Sequence, residues 1–201
     1  TRILAAGCYT TYGWLREGAW MHVAGQLKIR PARLSQDAVQ FEQTLDLYHA
    51  AVITRCRWKD GTLRLRSFVA RHYRTLVVEV EMSRAGLVEQ FAIERLPIAS
   101  SSAAVSGATD GDFWLADVLH PPNPAWHVAA EAKPIGYALY GRVLDERGRE
   151  CAELDLRRTA RSVEVQPPSK LRCFSLLLTV ALDESAKGQV DAARQIIVAS
   201  H

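Results

Sequence analysis

Cysteine is scarce in this 201-residue chain and never clustered: Cys8, Cys56, Cys151 and Cys173 lie far apart and form no Cys-x-x-Cys pair. That spacing argues against a zinc site and against a disulfide scaffold, and leaves free buried thiols as the plain reading. Neither His-x-His nor His-x-x-x-His occurs among His22, His49, His72, His120, His127 and His201, so no metal ligand set is assigned. A Gly-rich phosphate loop, a Gly-x-Ser-x-Gly elbow and a dinucleotide fingerprint are all missing, which removes the usual support for nucleotide or cofactor chemistry. The chain lacks any run of about 18 apolar residues, the length a helix needs to cross a membrane. Charge of one sign is lacking too. With 25 basic and 22 acidic residues the net charge is only +3, too small for the broad positive field that nucleic acid or an anionic membrane requires. The opening at Thr1 without methionine suggests processing or truncation, shows no signal peptide, and leaves the compartment open.

Period-two alternation is what the chain has in quantity. Leu76, Val78, Val80 and Met82 share one face of a run whose other face is Thr75, Val77, Glu79 and Glu81, the pattern of a half-buried strand. Tyr137, Leu139, Gly141 and Val143 alternate likewise, and beyond the turn at Asp145–Gly148 so do Ala152, Leu154 and Leu156, which predicts a second hairpin. From Leu171 to Leu182 both faces are apolar, which places that strand centrally, between layers. Ser100–Gly111 reads as a long loop or weak edge strand, and Pro121–Pro124 as a rigid loop without ladder donors. After Ser185 the period changes: Val190, Ala193 and Ile197 form one helical stripe that needs a surface to pack on. Many strands and one late helix predict an all-β sandwich over residues 1–184 and a short C-terminal linker-type helix over 185–201.

Asp60-Gly61 reads as a two-residue hairpin turn, which sets Trp58 opposite Leu63, Arg57 opposite Arg64 and Arg55 opposite Arg66. Cys56, Trp58, Leu63 and Leu65 then make an apolar face and Arg55, Arg57, Arg64 and Arg66 a basic one. Arginines opposed in this way require nearby anions, which Glu79 and Glu81 supply if the next strand joins in a meander. The plainer reading is a solvated salt-bridge ladder; the sharper one is an anion site or a face for a partner domain. For sugar binding the candidates are Trp114, Trp126 and His127, flanking the proline-rich loop, because sugars stack on exposed rings beside hydrogen-bonding groups. Trp58 reads as core, and Trp14 and Trp20 sit in an irregular N-terminal region. No catalytic carboxylate pair is assigned: Glu79/Glu81 and Glu153/Asp155 occupy surface-like strand positions.

Phe41-Glu42-Gln43-Thr44-Leu45-Asp46-Leu47 and the later Arg66-Ser67-Phe68-Val69-Ala70-Arg71-His72 resemble the N-terminal domain of glycoside hydrolase family 65, the trehalases, α-glucosidases and disaccharide phosphorylases. Ser67 stands between Arg66 and Phe68 where the family has an Arg-Phe-Val-Ser element. Ala5-Ala6-Gly7-Cys8-Tyr9 is similar to the family's Ala-Gly-x-Tyr segment, and the helix from Ser185 to its linker into the next domain. The resemblance implies a large antiparallel, mutarotase-like β-sandwich, a downstream (α/α)₆ barrel as partner, and inverting hydrolysis or phosphorolysis of α-glucosides, with the catalytic glutamate on the barrel and none here. Such a sandwich would support the barrel, form an oligomer interface, or lend a loop to the active-site rim. The competing expectations are a free-standing carbohydrate-binding module and, ranked last, a mutarotase-like epimerase, for which no His–carboxylate pair can be placed. If Leu65 and Phe68 are both core, truncating either should cost roughly 2 to 5 kcal/mol.

Overall fold

A computed structural model describes residues 10–15, 18–23, 25–32, 40–95, 105–109, 111–119, 135–152, 154–159, 161–183 and 186–199. In chain order the elements are β1 (Thr10–Leu15), β2 (Gly18–Val23), β3 (Gln26–Pro31), β4 (Gln40–Asp46), β5 (Ala51–Trp58), β6 (Gly61–Ala70), β7 (Thr75–Met82), β8 (Val88–Glu94), β9 (Val105–Thr109), β10 (Asp112–Leu119), β11 (Ile135–Asp145), β12 (Asp155–Arg158), β13 (Ser162–Gln166), β14 (Cys173–Asp183) and α1 (Ala186–Ala199). Strands β1 and β2 pair as a hairpin that carries Trp14 and Trp20, so this stretch is regular where the sequence alone reads as irregular. The others form an eight-stranded sheet, β4-β5-β6-β7-β14-β11-β10-β9, and a four-stranded sheet, β12-β13-β8-β3, antiparallel throughout. The chain is an all-β sandwich with one C-terminal helix among the described residues.

One core lies between the sheets, and alternation decides what enters it. From the large sheet come Leu63 and Leu65, Leu76 to Met82 in steps of two, Phe113 and Leu115, Tyr137, Leu139 and Val143, and Phe174, Leu176 and Leu178. From the small sheet come Leu27, Ile29, Phe91, Ile93, Val163 and Val165. Phe91 reaches across to both Phe113 and Phe174, with ring centroids 5.7 and 6.2 Å away. Gly141 is glycine because a Cβ there would lie 2.2 Å from the Phe113 ring.

β14 is central, between β7 and β11, as its two apolar faces require. Its second face, Leu177 and Ala181, joins Ala116, Ala138, Tyr140 and Leu144 beneath α1, whose Ala193 and Ile197 are wholly buried there. The helical stripe thus packs on its own sandwich, over β10, β11 and β14. Val105–Thr109 is one of the two edge strands of the large sheet, β4 being the other.

Two expectations are corrected. The Asp145 turn is real: its carboxylate accepts the Arg147 and Arg149 amides, and this holds its pKa below the ordinary carboxylate value. The hairpin nevertheless stops at the Leu144–Glu150 bridge and the Cys151 amide, which donates to the Val143 carbonyl. Beyond it the chain crosses to the small sheet, so Leu154 and Leu156 meet the same core from the opposite side. The register of the arginine hairpin also differs, because the turn residues are Lys59 and Asp60 and the first rung is Trp58–Gly61. Neither Asp60 nor Gly61 has positive φ, so this is not the turn that an Asp-Gly pair favours. Gly61 instead allows a close approach, since a Cβ there would lie 2.9 Å from both Leu87 and Ser83. The shift is two residues, so the faces keep their identity: Cys56, Trp58, Leu63 and Leu65 are all buried.

Candidate functional site

Two surfaces of the large sheet carry residues singled out above. On the outward face of β4 to β7, register lines up Glu42, Arg55, Arg64 and Glu81 across four strands, an acid–base–base–acid row. Arg64 donates to Glu81 at 2.6 Å, and Arg55 lies 3.6 Å from Glu42. In the next row Arg66 donates to Glu79 at 3.0 Å, and its guanidinium covers the Phe68 ring at 4.6 Å. Only one rung sets arginine against arginine, Arg55 and Arg64, rather than two; Arg57 stands opposite Thr62 and Gln40. Phe68 is therefore a half-buried member of the arginine face, since alternation puts it with Arg64 and Arg66, while Leu65 is core. The expectation of a core Phe68 was wrong by one residue of parity.

This face is a ladder of partly solvated pairs, whose individual contributions are small. Arg64→Gln should shift stability by about 0.5 kcal/mol or less in urea denaturation, and a loss above about 2 kcal/mol would show that the row is not solvated.

The other surface surrounds Trp114 on β10. Its ring stacks on Tyr140 of β11, nearly parallel at 6.2 Å, and overlies Gly107 of β9, where a Cβ would lie 1.9 Å from the indole. Trp114 is half-buried at the margin of the helix cluster, with neighbours on both adjoining strands. Trp126 and His127 lie outside the described residues, so nothing here brings them to Trp114. Ala5–Tyr9 and Pro121–Pro124 also lie outside them.

Beside Trp114 is a buried polar cluster that sequence reasoning missed. Asp112, 2% exposed, accepts from Arg142 Nε at 2.6 Å and Nη2 at 2.8 Å and from the Tyr140 hydroxyl. Arg142 also donates to Glu150, and Arg194 of α1 approaches Asp112 at 3.9 Å. The hydrogen bond to Asp112 is the main cause of a raised Arg142 pKa; burial first, then Asp112, drives the Tyr140 phenol well above its usual value. With three donors on one carboxylate, two of them from a single buried guanidinium, the cluster acts as a structural anchor. The readable signal was Arg142 itself, a charge placed among Ala138, Tyr140 and Leu144 on an otherwise apolar face.

Burial raises the pKa of the Cys56 and Cys151 thiols, which makes them poor nucleophiles at neutral pH, and Cys173 is also free. Among the described residues no group of His, Cys, Asp and Glu is arranged to hold a metal ion, and no helix is long and apolar enough to cross a membrane. No family model matches the chain, and no curated protein matches it.

Proposed function

We propose that this chain is a non-catalytic sandwich domain of a carbohydrate-active enzyme of the glycoside hydrolase family 65 kind, whose barrel cleaves α-glucosides by inverting hydrolysis or phosphorolysis. The observation that carries the reading is β4. This edge strand holds Phe41–Asp46 of the stretch on which the resemblance rests, yet every residue from Gln40 to Leu45 is exposed. Phe41 and Leu45 share one face of it; Leu47 and Tyr48, the latter 92% exposed, sit in the turn that follows. Val69 and Tyr73 add exposed apolar surface at the β6–β7 turn, at the same end of the sheet. An edge strand whose apolar side chains are left exposed among the described residues, flanked by paired charges, has the character of an interface awaiting a partner. The partner in this reading is the catalytic barrel.

Two measurements test it. The chain alone should neither hydrolyse trehalose or maltose nor split them with inorganic phosphate, whereas the product of the coding region continued past His201 should do one or the other with inversion. Turnover by the chain alone would overturn the reading. A stop codon directly after His201 would also overturn it and leave the free-standing carbohydrate-binding module in its place.

A further inference from the structure

The outward face of the small sheet holds a depression of about 400 Å³, within the size range of small-molecule sites. Four segments build it. Arg30 of β3 faces Gln90 of β8, Asp155 of β12 faces Gln166 of β13, and Arg157 faces Glu164 on the same two strands; Glu89 completes the lining. All seven side chains are polar.

Two properties separate this groove from the ladder on the opposite sheet. First, its two arginines and three carboxylates make no ion pair with any described residue, although the neighbouring Glu94 pairs with Lys28 and Gln26 on the same face. Surface charges that can reach one another normally pair, as Arg64 and Glu81 do, yet Arg157 and Glu164 stand opposite each other on adjacent strands and form no ion pair. Second, Gln90 is only 7% exposed, yet its side-chain amide makes no hydrogen bond to a described residue. Alternation points it outward, opposite to the core residues Phe91 and Ile93, and into the depression. A buried amide left unsatisfied is costly, and native structures keep one where something else completes it.

The geometry points to a binding site for a neutral oligosaccharide in this groove. The chemistry selects that class. Arginines donate, carboxylates accept and the two glutamines do both, an alternation that suits adjacent hydroxyls, each both donor and acceptor. Three carboxylates disfavour an anion, two arginines disfavour a cation, and no metal-holding arrangement is present among the described residues. The ligand class is read from the lining alone, so the site stands whether or not a catalytic barrel follows.

The test is titration of the chain with maltotriose, followed by calorimetry and by amide chemical shifts, with inorganic phosphate and calcium titrated separately. Millimolar or tighter binding of maltotriose is expected, with shifts centred on Gln90, Arg157 and Gln166. Gln90→Leu should weaken it roughly tenfold while leaving the urea midpoint unchanged or higher, because an unpaired buried amide is removed. Arg157→Ala, at an exposed position that does not endanger folding, should weaken it also. Shifts centred elsewhere, full affinity in both variants, or binding of phosphate or calcium in the groove without maltotriose would overturn the assignment. Failure of maltotriose to bind this chain would overturn the groove alone, whereas absent turnover of trehalose and maltose by the longer polypeptide would overturn the enzyme reading alone.

Discussion

Asp112→Ala is expected to destabilise the chain by about 3 kcal/mol, the lower end of the range for breaking a buried ion pair. The cost comes from Arg142, 4% exposed, which would keep its charge in the interior with Glu150 as its remaining carboxylate partner. Tyr140 would lose its acceptor at the same time. Replacing both members, Asp112→Leu with Arg142→Leu, should recover most of the loss, because the penalty belongs to the under-compensated buried charge and not to the missing attraction. Urea midpoints of the two single variants and the double variant decide this. If Asp112→Ala costs under about 1 kcal/mol, water reaches the pair and the anchor role fails.

Phe91→Ala should cost about 3 to 5 kcal/mol, since a large side chain would be lost from a packed interior. Phe91 comes from the small sheet, while Phe113 and Phe174 come from neighbouring parts of the large one, so one ring ties the two layers together. Phe91→Leu fills more of the space and should cost less than about 1.5 kcal/mol. Thermal unfolding of both variants checks the order. Equal losses would mean that the aromatic contacts, and not the filled volume, hold the sheets.

Local pattern found most inner strands of the large sheet and left β1, β2, β3, β8, β10 and β13 unassigned. Thr75–Met82, the central strand with two apolar faces and the Val190–Ala193–Ile197 stripe could be read because each answers to its immediate surroundings. Pairing beyond a turn was less legible. Ala152, Leu154 and Leu156 alternate correctly, but nothing in their spacing says which sheet they join. The arginine hairpin kept its faces and lost its register because Gly61 serves a packing contact with Leu87 rather than the turn. The groove was illegible for a different reason: Arg30, Gln90, Arg157 and Glu164 belong to four strands that meet only in the fold. The exposure of β4 was hidden too, since an alternating sequence does not reveal whether its cover lies in the same chain.

The position of β14 has a kinetic consequence. β4 to β7 and β9 to β11 are each laid down by neighbours in sequence, but β14 alone joins the two halves of the large sheet, and it follows all the others among the described residues. During synthesis the inner edges of β7 and β11 stay open until residues 173–183 have emerged, so completion of the sheet must await a contact distant in sequence. Until then, those two apolar edges are where a nascent chain of this sequence is most exposed to pairing with a neighbour.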